Sequence, residues 1–277
     1  MPKNGSKHTQ LRPRAPAGRH RALVVLASVV LIAAVGVAGR LIWGAKSPCQ
    51  EVVVPAYFYP GSDWTRAINS KPAPSMMILD ITSSGAGSSP DRNYQKAVRR
   101  AQAAGIRIMG YSNTDYAQRS ATAVEMDVRH YQAWYDVTDI FLDEASSNSS
   151  SIAYYRHLTD YIHEANPGST VMLNPGTYPS KRYMSVADVV MVYENTYADY
   201  VNLHVPRWVS QYPAAKFAYT IYATSDSQLA NAISLSQKRH AGYVYVTDNA
   251  GSNPYSSLPS YWSSEDAIIA ARCAGPL

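Results

Sequence analysis

Two acids stand side by side at the end of one apolar run, Ile140-Phe141-Leu142-Asp143-Glu144, and a third closes another, Val189-Val190-Met191-Val192-Tyr193-Glu194. Asp80 follows Met76-Met77-Ile78-Leu79, and Asp248 follows Tyr243-Val244-Tyr245-Val246-Thr247. Short apolar runs of this kind read as strands. Five carboxylates therefore stand at strand ends, beside Tyr57, Tyr59, Tyr111, Asn113, Asn174, Tyr193 and Tyr222 at the ends of other runs. Paired carboxyls are what glycosidic bond cleavage requires: one protonates the leaving oxygen, and the other attacks the anomeric carbon or activates water. Tyrosines suit the same chemistry, because a ring can stack on a sugar while its hydroxyl hydrogen-bonds. Adjacent strand residues point to opposite faces, so Asp143 and Glu144 can share the interior only if the chain turns at Glu144.

Other chemistries lack their residues. His130, His157, His163, His204 and His240 fall in or beside helical segments. A Ser-His-Asp arrangement then has no base at the strand ends, and a zinc site of histidine ligands has no donors there. The chain has two cysteines, Cys49 and Cys273, too few for a disulfide-dense scaffold or a four-cysteine zinc site. No metal or organic cofactor is expected.

The elements that must carry these residues alternate. Strands are expected at 52–60, 75–82, 107–114, 139–145, 170–177, 188–197, 215–224 and 242–250. Helical segments are expected near 63–70, 93–105, 121–136, 152–168, 180–187, 201–212, 226–240 and 260–272. Eight βα units in about 230 residues point to an α/β fold, a (β/α)8 TIM-type barrel, whose sites are built at the carboxyl ends of the strands. A doubly wound open sheet is the alternative. It would want a glycine-rich phosphate loop after the first strand, where Tyr57-Phe58-Tyr59-Pro60 stands instead. The Gly/Ser-rich stretch 83–90 matches no phosphate-binding spacing and reads as a flexible loop at the barrel mouth.

Charge divides the chain. All 20 acidic residues lie at or beyond Glu51, while eight of the 25 basic ones precede position 47. What remains carries 17 basic and 20 acidic groups, a net charge of −3, so the main domain has no basic footprint for nucleic acid. Residues 1–22 form a basic, acid-free tail. Residues 23–39 are uncharged and apolar, and Leu41, Ile42 and Trp43 extend the run past Arg40. Segment 23–43 is long enough for one transmembrane helix. The positive-inside rule puts the tail in the cytoplasm and a domain of residues 47–277 outside the cell. A cleaved signal peptide, with the domain secreted, is the alternative, since Gly36, Ala38 and Gly39 permit cleavage. In an oxidising compartment Cys49 and Cys273, at the two ends of the exported domain, are expected to form a disulfide, with two unrelated thiols the alternative.

Several ordered motifs together point to one family. They are Tyr57-Phe58-Tyr59-Pro60 with Trp64, Ser84-Gly85-Ala86-Gly87, Asn93-Tyr94, and Gly110-Tyr111 with Thr114, Tyr116 and Arg119. Then come Tyr131, Trp134-Tyr135, Ile140 to Glu144, Asn174-Pro175-Gly176-Thr177, Ala187-Asp188, Tyr193-Glu194, Leu258-Pro259 and Tyr261-Trp262. From about 52 to 262 the chain resembles the spherulin-4-like (spherulation-specific) family, grouped among glycoside hydrolases in family 135. The resemblance implies a (β/α)8 barrel and hydrolysis of α-1,4-linked polymers rich in N-acetylgalactosamine. It maps the family's essential acids onto Asp143, Glu144 and Glu194. The chain departs from the family at Asp80-Ile81, where Asn-Pro is usual, and at Ala86, where Pro is usual.

The expected activity is a membrane-anchored extracellular glycosidase of endo-α-1,4-N-acetylgalactosaminidase type. Asp143 serves as nucleophile or stabiliser, Glu194 as general acid/base, or the two exchange roles, and Glu144 orients one of them. Tyr57, Tyr59, Asp80, Tyr111, Asn174, Tyr193, Tyr222 and Asp248 are the expected substrate-binding residues. The expected partner is a polysaccharide, and the chain is expected to be a monomer. A non-catalytic carbohydrate-binding surface protein on the same barrel is the alternative. Mass spectrometry of the native N-terminus is expected to find segment 23–43 retained; a mature chain beginning after Gly39 would instead mark a cleaved signal.

Overall fold

The structure, a computed structural model, describes residues 50–273. The transmembrane reading of 23–43, and Cys49 together with the side chain of Cys273, lie outside the described residues. Among the described residues no helix is long and apolar enough to cross a membrane.

Eight strands form one closed parallel barrel in chain order. They are β1 (Glu51–Ala56), β2 (Met76–Leu79), β3 (Arg107–Asn113), β4 (Asp139–Asp143), β5 (Val171–Leu173), β6 (Val189–Thr196), β7 (Phe217–Tyr222) and β8 (Tyr243–Val246). The last strand closes on the first, with Glu51 beside Tyr243 and Val52 beside Val244. The crossovers carry helices α1 (Ser62–Asn69), α2 (Arg92–Ala103), α3 (Ala121–Tyr135), α4 (Ile152–Ala165), α5 (Tyr197–Tyr200) and α6 (Asp226–Lys238), and α7 (Trp262–Cys273) follows β8.

Local chemistry sets the helix ends. Asp91 caps α2 by accepting from the backbone N–H groups of Asn93 and Tyr94, and Gly105 turns the chain out beyond its end at φ +84°. Ser225 and Gln228 form a reciprocal capping box on α6.

Two expected helices are not α-helical along their length. Segment 201–212 holds α5 just before it and a 3-10 turn at Arg207–Gln211, and 180–187 holds a 3-10 turn at Lys181–Ser185. Pro206 and Pro213 break the former, because a proline donates no backbone hydrogen bond and disfavours helix in the residue before it. Most strands also stop short of their expected ends, so the residues beyond them are loop residues free to turn into the barrel mouth.

Alternation divides the strand residues between two cores. One side of each strand packs under the helices. The other fills the barrel axis with Val53, Met76, Ile78, Met109, Tyr111, Phe141, Met172, Val189, Met191, Ala218 and Tyr243. Burying one such side chain contributes about 1.5–3 kcal/mol. Between the cores, Gly110 of β3 has no room for a side chain, since a Cβ there would lie 2.5 Å from the Tyr131 ring. Tyr131 is buried under that contact and donates its hydroxyl to the Tyr111 carbonyl at 2.7 Å. Gly110→Ala is expected to lower stability by about 1–3 kcal/mol through overpacking. In a thermal melt this reads as a fall in Tm of roughly 2–4 °C per kcal/mol.

Candidate active site

The inward rows climb to the carboxyl face and end in polar groups. Met76 and Ile78 lead to Asp80, Met109 and Tyr111 to Asn113, Phe141 to Asp143, Met172 to Asn174, and Ala218 to Tyr222. Two irregularities complete the set. Glu144 takes φ +47°, so the chain turns there and the Asp143 and Glu144 side chains line the same cavity. In β6 the register slips between Met191 and Tyr193. Val192 and Tyr193 therefore both face the helices, and Glu194 enters the barrel where strict alternation would have put Tyr193.

The cavity at the mouth measures about 590 Å³. Tyr57, Asp80, Tyr111, Asp143, Glu144, Asn174, Glu194 and Tyr222 line it, together with Ser83, Tyr116, Pro175, Gly176 and 251–255. Asn174 is at its centre. Its Oδ1 accepts from Gly176 N at 2.9 Å, which fixes the amide and turns Nδ2 toward the acids. That nitrogen donates to Asp143 Oδ1 at 2.7 Å and also to Glu194 Oε2. Two acceptors on one amide nitrogen, whose N–H bonds diverge by about 120°, put the nearest oxygens of the two carboxyls about 4.5 Å apart. Gly176 permits this with φ +62° and accepts from Glu194 N through its carbonyl at 3.1 Å.

Each acid has its own tyrosine. The Tyr111 hydroxyl faces Asp143 and the Tyr255 hydroxyl faces Glu194, each favouring the ionised acid against burial. Tyr57 sits edge-on to both rings, at 5.5 Å from each. Glu144 accepts from Asn113 Nδ2 at 2.9 Å. Thr114 Oγ1 lies 2.8 and 2.9 Å from the Asp143 and Glu144 carbonyls, and Tyr116 N donates to the Glu144 carbonyl at 2.8 Å.

Burial, and then the charge of Glu194, push Asp143 up to about 7. Burial also raises Glu194, against hydrogen bonds from Asn174 and Tyr255. Two carboxyls this close share one proton near neutrality. Burial raises Asp80 as well, against backbone hydrogen bonds from Ser83 and Thr82. Burial and the nearby acids hold Tyr57, Tyr111 and Tyr255 far above the ordinary tyrosine range, so each keeps its proton and can donate it in a hydrogen bond.

Three expected substrate-binding residues lie elsewhere. Tyr59 leans outward, donating to Asp91 Oδ2 at 2.9 Å and accepting from Asn93 Nδ2 at 2.8 Å. Tyr193 is turned under the helices by the slip in β6; it packs against Tyr200 and Tyr219 and donates to the Thr196 carbonyl at 2.7 Å. Asp248 accepts from Ser260 N and Oγ, at 3.0 and 2.5 Å, and so fastens the turn before α7.

The Gly/Ser-rich loop after β2 is not slack either. Asp127 accepts from Ala86 N at 3.2 Å and from Ser112 Oγ at 2.7 Å, and pairs with Arg119 at 2.7 Å. Arg119 in turn donates to the Ser84 carbonyl at 2.7 Å. A Cβ on Gly85 would fall 2.2 Å from the Asp127 carboxylate, so only glycine fits.

Tyr255 and Tyr116 were not among the expected site residues. Tyr255 lies in a Gly/Ser/Asn/Pro-rich loop with no periodic pattern, and the available signal was an aromatic residue in the loop following a barrel strand. Among the described residues, no three His, Cys, Asp or Glu side chains converge as metal ligands.

A closed parallel barrel with buried acids gathered at the carboxyl ends of its strands is a glycoside-hydrolase-like barrel. Residues 51–269 match the model of spherulation-specific family 4, and the chain belongs to that family. It is 31% identical to spherulin-4 of Physarum polycephalum over 234 residues, covering 80% of this chain and 70% of that protein. Sph3 of Aspergillus clavatus, solved in complex with GalNAc, superposes with a TM-score of 0.69 at 26% identity, over 81% of this chain and 98% of Sph3. A chitinase from Chromobacterium violaceum shares the fold at 11% identity, with a TM-score of 0.55 over 80% of this chain and 99% of its own.

The raised carboxyl makes stability depend on pH in a stated direction. Folded, Asp143 titrates near 7; unfolded, an aspartate titrates at about 3.9. Between those values the folded chain holds a proton the unfolded chain has released, so stability falls as pH rises through that window. Asp143→Asn removes the titration. It is expected to stabilise the fold relative to wild type at pH 8 by on the order of 1 kcal/mol, after allowance for solvent in the cavity, and so to raise Tm, with the difference shrinking toward pH 4. A pH series of thermal melts reads this directly, and an equal difference at every pH would count against the raised carboxyl.

Proposed function

We propose that this chain is a glycoside hydrolase acting on an amino-sugar polysaccharide, with α-1,4-linked polymers rich in N-acetylgalactosamine or galactosamine the favoured class. The observation that carries the reading is one amide, Asn174 Nδ2, holding both Asp143 and Glu194 in one cavity at the barrel mouth. Sharing a proton gives the two acids different tasks. Asp143, raised further by the charge beside it, keeps the proton and delivers it to the leaving oxygen. Glu194, ionised, attacks or stabilises the anomeric carbon. A nearest-oxygen spacing of about 4.5 Å falls well short of the roughly 6.5–9.5 Å that would admit a water between the second carboxylate and the sugar, and fits retention of configuration. Glu144, held by Asn113, orients the substrate beside Asp143.

The substrate class has two supports. The cavity lining carries four carboxyl groups and no Lys, Arg or His, which suits neutral or amino-bearing sugars over acidic ones. The family relative Sph3 was solved with GalNAc bound. We further read the barrel as exported on the segment 23–43, from its apolar run and basic flank.

Reducing-end release from galactosamine-containing polysaccharide by wild type, Asp143→Asn and Glu194→Gln tests the reading. Each substitution is expected to cost about 10²–10⁴-fold in rate. A substrate with an activated aryl leaving group, which needs no acid, is expected to restore Asp143→Asn and not Glu194→Gln. Equal product from all three proteins would sink the assignment. Binding without cleavage by any of them would favour a carbohydrate-binding surface protein.

A further inference from the structure

Three consecutive non-glycine residues after β3 hold left-handed backbone: Asp115, Tyr116 and Ala117, at φ +45°, +53° and +74°. Such angles are uncommon for any residue with a Cβ and rarer for a bulky one. Hydrogen bonds fix the turn. Asp115 N donates to Asn113 Oδ1 at 2.6 Å, Tyr116 N to the Glu144 carbonyl at 2.8 Å, and Ala117 N to the Thr114 carbonyl at 3.0 Å. The backbone that turns Glu144 into the cavity therefore also carries Tyr116. The product of this strain is an aromatic ring left 58% exposed. Tyr59, Tyr116, Met126 and Val201 are the exposed large apolar side chains among the described residues, and of these Tyr116 alone lines the cavity. A ring held in water by strained backbone gives folding nothing, and strain of this kind gathers where ligands bind.

Its place around the barrel gives it a direction. In a closed ring of eight strands, β3 and β7 are four apart either way and stand opposite one another. Tyr116 follows β3, and Tyr222 ends β7. Asp143, Asn174 and Glu194 come from the arc between them, while Tyr57 and Asp80 come from the other arc. The mouth is thus a trough with a tyrosine at each end, Asp143, Glu144 and Glu194 along one side and Asp80 on the other.

We propose that Tyr116 is the stacking platform of an outer sugar subsite, taking a pyranose ring of the polymer beyond the scissile bond and across the mouth from Tyr222. The proposal rests on the hydrolase reading for the identity of the ligand; the platform itself requires only that a glycan lie along the trough. The electrostatics agree, since Glu144 and Asp143 are the acids acting most strongly on the Tyr116 hydroxyl after burial, which raises it.

Calorimetric binding of α-1,4-linked N-acetylgalactosamine oligomers, from dimer to octamer, tests it in a Glu194→Gln background where no cleavage is needed. Tyr116→Gly removes the ring and suits the left-handed backbone, so the fold is kept; Tyr116→Trp keeps a ring. Tyr116→Gly is expected to weaken binding of the longer oligomers about tenfold while leaving the dimer unchanged, with Tyr116→Trp near the parent. Unchanged binding at every length, equal weakening at every length, or no binding of any oligomer by the parent overturns the proposal. Length-dependent weakening alongside a wild type that binds but never cleaves would support the platform and overturn the hydrolase reading alone.

Discussion

Two carboxyl groups whose nearest oxygens lie about 4.5 Å apart, at the mouth of the barrel, are the constraint around which the site is arranged. Two full charges at that distance repel by about 4 kcal/mol at an effective dielectric constant of about 20. Burial adds to the penalty on each. The pair therefore keeps a proton that isolated aspartate and glutamate would release, and the close approach must be imposed by something neutral. Asn174 does this. Its amide donates to both acids and carries no charge that would drive the proton off, and Gly176 decides which way the amide faces.

The rest of the lining follows the same logic. A lysine or arginine beside either acid would lower its pKa and empty the shared proton site. The nearby polar side chains are instead tyrosines, whose own burial keeps them protonated, so that they offer the carboxyls neutral polar neighbours and no positive charge. The cation that does organise the mouth, Arg119, is committed to Asp127 and to the Ser84 carbonyl. It braces the loop after β2 and does not line the cavity.

Much of this was legible in the chain as a string of residues. Period-2 alternation places Asp80, Asp143, Asn174 and Tyr222 on inward rows once the strands are recognised, and eight alternating units imply the closed ring. What alternation could not supply were its own exceptions. Regular strands admit Asp143 or Glu144, and Tyr193 in preference to Glu194; a left-handed residue and a one-residue slip reverse both outcomes. Tyr59 and Asp248 stand where strand-end residues should, but their hydrogen bonds to Asp91 and Ser260 draw them into loop and helix starts. Tyr255 arrives on a loop whose path depends on what it packs against, namely Tyr57, Tyr245 and Thr220, and no local pattern encodes that.

The two exceptions also bear on how a common scaffold becomes a particular site. The chitinase barrel shares this architecture with little of the sequence, so closure, layering and strand order do not by themselves decide chemistry. The regular part of this barrel supplies one acid from β4 and an amide from β5. The second acid of the pair depends on Val192 being surplus to the β6–β7 ladder, and the third on Glu144 accepting a conformation that most glutamates avoid. Each departure is held from outside the strand that makes it. Glu194 N is taken by Gly176, and the Glu144 carbonyl by Thr114 and Tyr116. The loops after β3 and β5 therefore do more than border the cavity: they stabilise the backbone irregularities that bring three acids to one face.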